Sequence, residues 1–202
     1  MIQRLKLAAL IALLFSQAAL ASGGVLVVGD SISAGFGLDS GAGWVNLLKQ
    51  RLEKEGLKQQ VINASISGDT SSGGLSRLPA LLKTHQPSVV IIELGGNDGL
   101  RGQSPAQLQQ NLARMVKLAK DANAKVLLLG MRLPPNYGER YNRSFAGVYQ
   151  DVAQQQEVPL LAFFLEGVGG VEGMMQADGI HPSALAQPRL LDNLWPLLRP
   201  ML

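Results

Sequence analysis

From residue 25 onward the chain alternates between two hydrophobic rhythms. Short runs rich in Val, Ile and Leu recur at Val25 to Val28, Val61-Ile62, Val89 to Leu94, Val126 to Leu129 and Val158 to Phe164. Each is apolar at consecutive positions, the pattern of a strand buried on both faces. Between them apolar residues fall at helical spacing: Trp44, Leu47, Leu48 and Leu52; Leu75, Leu78, Leu81 and Leu82; Leu108, Leu112, Met115 and Val116. Two further stripes follow, Tyr141, Phe145, Val148, Tyr149 and Val152, then Leu191, Leu194, Trp195 and Leu198. They predict helices with one core-facing side, and their aromatics are assigned to packing rather than to a ligand. Ser104-Pro105-Ala106-Gln107 predicts one helix start in detail, with an N-cap serine, a proline at the first helical position and a capping-box glutamine.

Strand and helix alternating about five times predict an α/β protein, because each parallel crossover must be long and right-handed. The expected architecture is a three-layer α/β/α sandwich around a roughly five-stranded parallel sheet. No internal repeat, low-complexity tract or interdomain linker interrupts it. The Gly/Pro-rich pieces Leu133 to Gly138 and Gly167 to Gly173 read as loops over the sheet.

The first 21 residues follow another pattern. Arg4 and Lys6 precede an apolar run from Leu7 to Leu20 that ends in Ala19-Leu20-Ala21. A charged start, a short apolar stretch and a small-x-small site predict a secretory signal peptide cleaved after Ala21. The run contains Ser16 and Gln17 and falls short of the roughly 20 apolar residues that span a bilayer, so no stable membrane anchor is expected. Residues 22–202 are then the working domain, exported to the periplasm.

Composition narrows the chemistry. With 202 residues, 47% hydrophobic and 16% charged, the chain is long enough for one domain with a sizeable core. Without Arg4 and Lys6, 16 basic residues face 15 acidic ones, which gives no electrostatic case for nucleic acid. The absence of cysteine removes a lipid-anchored N-terminus, a thiol nucleophile, disulfides and thiolate metal sites together.

In a parallel sheet of this kind ligands bind at the carboxyl ends of the strands. Five polar or glycine-rich segments fall at those ends: Gly29-Asp30-Ser31, Ser67-Gly68-Asp69, Gly95-Gly96-Asn97-Asp98, Leu133-Pro134-Pro135-Asn136 and Asp178 to His181. Ser31 opens the helix after the first strand, where free amides favour an anion. Taken alone, Gly-Asp-Ser is more often a capped turn than a nucleophile. Only His85 and His181 offer an imidazole. His85 sits in a polar helix end, whereas Asp178, three residues before His181, is placed to fix its tautomer so that a base faces Ser31. Two histidines, no cysteine and no His-Glu-x-x-His leave too few ligands for zinc, so no metal is expected. Acyl transfer also needs donors for an oxyanion, and the candidates are the amides of Ser31 and Gly68 and the side chain of Asn97. Asp30, Asp69, Asp98 and Glu93 are read as structural. Phosphate-binding glycine motifs are absent, and Ser33 stands where the α/β-hydrolase elbow requires glycine.

Four blocks together resemble the SGNH (GDSL) hydrolase family: Gly29-Asp30-Ser31-Ile32-Ser33-Ala34-Gly35, Asn63 to Thr70, Glu93 to Gly102, and Asp178-Gly179-Ile180-His181-Pro182. The family's four letters match Ser31, Gly68, Asn97 and His181. The resemblance implies a flavodoxin-like fold, a serine esterase with an open site and no cofactor, and small-molecule substrates: acyl thioesters, aryl and alkyl esters, and lysophospholipids. It assigns Ser31, Asp178 and His181 to catalysis, Ser31, Gly68 and Asn97 to the oxyanion hole, and Leu133 and Pro134 to an acyl groove. It further implies a segment after Asn97 that moves over bound acyl chains; a monomer is the expected state. The chain departs from the family in Phe36 to Gly43, longer and richer in glycine than expected, and in Leu165 to Met174, where bulkier residues are expected. A carbohydrate O-deacetylase and a non-catalytic ligand-binding protein are the alternative functions on this fold.

Overall fold

The computed structural model describes residues 23–202. The expected signal peptide and its cleavage site lie outside the described residues. The five apolar runs form one parallel sheet in the order β2-β1-β3-β4-β5, with β1 at Val25–Gly29, β2 at Val61–Asn63, β3 at Val89–Glu93, β4 at Lys125–Leu129 and β5 at Leu160–Leu161. This order is that of flavodoxin-like sheets. β1 and β3 are buried along their whole length, which is why they read as unbroken apolar runs.

The helices are α1 (Ser31–Ala34), α2 (Trp44–Lys54), α3 (Ser71–His85), α4 (Gly96–Leu100), α5 (Pro105–Asp121), α6 (Glu139–Gln156) and α7 (Gln187–Leu198). Strand order reverses after β2, so right-handed crossovers send α2 to one face and α3, α5 and α6 to the other. α3 packs on α5 and α5 on α6, while α7 packs on α2. α3 accommodates Pro79 in its interior. An interior proline costs about 3 kcal/mol; burial of Leu78 and Leu82 against the core, at about 1.5–3 kcal/mol each, offsets it.

Three local expectations change. β5 covers two residues rather than Val158 to Phe164, because Pro159 has no N–H for the ladder and the chain leaves the sheet at Ala162. The helix start at Ser104 is where the pattern puts it, with Pro105 in the first turn, but the serine side chain caps nothing and Gln107 donates to Asn111 Oδ1 instead (3.0 Å). α1 is a single turn, ended by Gly35 in a left-handed conformation, and is too short for the helix dipole expected at Ser31.

One long-range tie matters for the site. Gly43 has no side chain to cap α2, and the cap is supplied from far along the chain: Gln187 Oε1 accepts from the Trp44 N–H (3.0 Å). Gln187 Nε2 also donates to the Ser183 carbonyl (3.0 Å), so the start of α7 and the loop before it are fastened to α2.

Candidate active site

β1 and β3 are neighbours, and the chain leaves them toward opposite faces, which opens a crevice outside their carboxyl ends. Register sets Gly29 beside Glu93, so Ser31 and Asn97 emerge side by side at that crevice. From the α7 side the loop Asp178 to His181 closes over Ser31. Ser31 Oγ and His181 Nε2 are 2.9 Å apart, and His181 Nδ1 and Asp178 Oδ2 are 2.6 Å apart. With an ionised carboxylate accepting from Nδ1–H, Nε2 is free to accept from the Ser31 hydroxyl. Asp178 Oδ1 accepts in addition from the backbone N–H groups of Ile180 (2.9 Å) and His181 (3.0 Å). The bonds from the His181 backbone and ring, then that from Ile180, pull its pKa down to about 2. The carboxylate stays charged at any ordinary pH.

Gly68 and Asn97 reach the same rim. Gly68 has φ +79°, a left-handed conformation, and its carbonyl accepts from Arg101 Nη2 (2.9 Å). A Cβ there would meet only Arg101, so it is the backbone conformation, rather than crowding by protein atoms, that calls for glycine. Among the described residues the amides of Ser31 and Gly68 donate no hydrogen bond. Gly95 delivers Asn97: its φ is +115°, and a Cβ would lie 2.2 Å from the Tyr149 hydroxyl, which itself donates to the Leu94 carbonyl (3.0 Å).

Asp30 has the structural role expected of it, capping the turn after β1, and one of its two partners is itself a candidate site residue. Asp30 Oδ1 accepts from the Ile32 N–H (3.0 Å) and Oδ2 from Asn97 Nδ2 (3.1 Å). The second bond fixes which end of the Asn97 amide faces down and leaves its other N–H for the crevice. Asp30 is 2% exposed, and burial pushes its pKa up to about 6 against the lowering effect of those bonds. Glu93 lies beneath it, fully buried, accepting from the Ser33 hydroxyl (2.6 Å), while its Oε1 has no partner. Burial first, and the adjacent Asp30 charge second, push its pKa well above the ordinary value.

Asp69 and Asp98 do behave structurally. Asp69 pairs with Arg77 (2.8 Å), which also donates to carbonyls of Ala64 and Gly29. Asp98 receives the Ser71 N–H and hydroxyl (2.8 and 2.5 Å), tying α4 to the start of α3. Leu133 packs close to Gly99, two residues beyond Asn97, and Pro134 is exposed next to it. His85 ends α3 on the amino side of β3, the far end of the sheet from Ser31. Among the described residues no group of three or more His, Asp or Glu side chains is gathered to hold a metal, and no helix is long and apolar enough to cross a membrane.

A hydroxyl, an imidazole and a carboxylate in one hydrogen-bonded row are the side chains that an acyl-transfer site requires. Residues 27–187 match the GDSL-like lipase/acylhydrolase family, and the chain belongs to it. It is thus an enzyme of the ester-hydrolase class. The chain is 66% identical to Esterase TesA of Pseudomonas aeruginosa over 88% of its own length and 89% of the relative's. A crystal structure of TesA superposes with a TM-score of 0.87, covering 88% of this chain and 99% of that one at 66% identity. Identity is 50% to Thioesterase 1/protease 1/lysophospholipase L1 of Escherichia coli, with 88% and 84% covered. It is 47% to an Arylesterase of Vibrio mimicus, with 86% of each chain covered.

Proposed function

We propose that this protein is a secreted serine hydrolase that cleaves acyl esters and thioesters, including acyl-CoA thioesters, aryl esters and lysophospholipids, through an acyl-enzyme on Ser31. The observation that carries the reading is the row Ser31–His181–Asp178, with contacts of 2.9 and 2.6 Å. Ser31 Oγ attacks the acyl carbon while His181 Nε2 takes its proton. The oxyanion is held by the amides of Ser31 and Gly68 and by the Asn97 side chain. The bond to the leaving oxygen or sulfur breaks, and His181 returns the proton to it. A water then attacks the acyl-enzyme with His181 again as base, releasing the acid and restoring Ser31. Asp178 orients the ring and stabilises its charged form. Leu133 and Pro134 line the acyl groove, no cofactor takes part, and the working unit is a monomer of residues 22–202 in the periplasm, released by cleavage after Ala21. The names of the relatives support the substrate classes, and the leader pattern supports export.

A fluorophosphonate probe should add one group to Ser31, located by peptide mass mapping, and abolish hydrolysis of p-nitrophenyl esters and palmitoyl-CoA. An adduct on Ser33 or Ser67, with Ser31→Ala still active, would refute the assignment. N-terminal sequencing of the periplasmic protein should begin at Ser22.

A further inference from the structure

Phe36 has no part in the mechanism above. It is 51% exposed, whereas Phe145 and Phe164 are buried in the core. Its ring centroid lies 4.6 Å from that of His181, with the two planes inclined at 37°. An exposed aromatic ring in contact with the imidazole is held there by both of its backbone polar groups. The Phe36 N–H donates to the Ser31 carbonyl (3.0 Å), and its carbonyl accepts from Gln176 Nε2 (2.8 Å). Gln176 Nε2 also donates to the Pro182 carbonyl (3.1 Å), so the loop carrying Phe36 and the loop carrying His181 are clamped together by one side chain. Gln176 fills the space beside Gly37, where a Cβ would stand 2.3 Å from its Oε1.

The position beside His181 has a chemical meaning. Whatever leaves the acyl carbon receives a proton or hydrogen bond from His181 Nε2, so the leaving atom passes within about 3 Å of it. Its substituent must then lie against the imidazole and the ring packed on it. The acyl chain departs the other way, past Asn97 toward Leu133 on the β4 side. We propose that Phe36 forms the wall of a leaving-group subsite and selects substrates whose leaving group is a flat aromatic alcohol or thiol. The inference rests on the acyl-enzyme reading given above. Two aromatic rings in offset or tilted contact gain about 0.5–1.5 kcal/mol beyond area burial, a factor of roughly two to ten. Because Phe36 is already fastened by its backbone, little of that gain is lost to ordering.

The test uses acceptor competition. By microscopic reversibility an alcohol attacking the acyl-enzyme enters through the leaving-group subsite. With p-nitrophenyl butyrate as donor and equal concentrations of benzyl alcohol and ethanol, the ratio of benzyl butyrate to ethyl butyrate does not depend on how much enzyme is folded. Phe36→Ala should lower that ratio about three- to tenfold, Phe36→Leu should fall between, and Phe36→Tyr should keep the wild-type ratio. The ratio of kcat/KM for phenyl butyrate to that for trifluoroethyl butyrate should drop in parallel, which gives a readout even where transfer to alcohols is slow. If Phe36 only props His181, both products and hydrolysis fall together, both ratios hold, and the inference is overturned. A wild-type protein inert toward both esters would instead overturn the hydrolase reading and this subsite with it.

Discussion

Asp30 and Asp178 stand on either side of Ser31, one under it and one at the rim, and their environments drive them in opposite directions. Asp30 is pushed up to about 6 and Asp178 is pulled down to about 2. Both accept well-formed hydrogen bonds, two at Asp30 and three at Asp178. What differs is the medium behind the carboxylate. Asp178 keeps contact with water and gains its bonds on top of hydration, so the bonds prevail. Asp30 has lost its water, and the bonds from Ile32 and Asn97 do not recover the desolvation. The charge state of a carboxylate in this site is decided by what surrounds it rather than by how many donors it has.

The comparison can be broken first at Asp178. Asp178→Asn should lower kcat about 10³- to 10⁴-fold, because the amide favours the wrong tautomer of His181 and no longer stabilises its charged form. Steady-state rates on one thioester decide it, and a loss below tenfold would mean that His181 keeps its orientation unaided. Next comes the group that Asp30 holds: Asn97→Ala should cost about 10²- to 10³-fold in kcat with KM little changed. A KM effect alone would make Asn97 a binding group. Asp30 itself follows. Its two oxygens both accept, and in Asp30→Asn one becomes a donor, so Asn97 loses its hold or α1 loses its cap. The expected loss is about ten- to a hundredfold in kcat. In an Asn97→Ala background the same change should cost much less, since a positioning residue has little left to position.

The smallest effect concerns Glu93 and is read in stability. Its folded pKa lies above its ordinary value of 4.5, so the native state holds the proton more tightly than the unfolded chain. That contribution is complete below 4.5 and is lost as pH rises through the folded value. Glu93→Gln keeps the bond from Ser33 without the buried charge. Its Tm should therefore gain on the wild type between pH 5 and pH 8. A Tm difference that stays level across that range would show that the folded protein holds the Glu93 proton no more tightly than the unfolded chain.

The centre of the fold was readable because β1 and β3 are covered on both faces, and burial on both sides leaves an unbroken apolar run. The edge strand β5 was not, since Val158 to Phe164 is equally apolar, and nothing in the run itself says that the chain turns off the sheet at Ala162 to bury Phe164 elsewhere. The rim of the site was legible as five polar segments at strand ends. The partners within it were not: Asp30 meets Asn97 across 67 positions, and Phe36 meets the same His181 that Ser31 reaches across 150 positions. Such pairings are made by tertiary folding, and a Gly-Asp-Ser turn looks the same with or without an amide above its aspartate. The strand-end placement of Asn97 was the one available hint.

The fastening of α2 by Gln187 has a bearing on the order in which the chain is made. Synthesis runs from the N-terminus, so Ser31, Gly68 and Asn97 all exist before the ribosome has reached His181. α2 waits as long for its cap, because the oxygen that accepts from Trp44 arrives 143 residues later. Until α7 has emerged and docked, the Ser31 hydroxyl is an ordinary alcohol with no imidazole beside it. On the mechanism proposed above, a nascent or clipped chain ending between Asn97 and Asp178 holds the hydroxyl and the three proposed oxyanion donors with nothing to drive them, and the appearance of esterase activity should mark the moment at which the two ends of the sandwich have met.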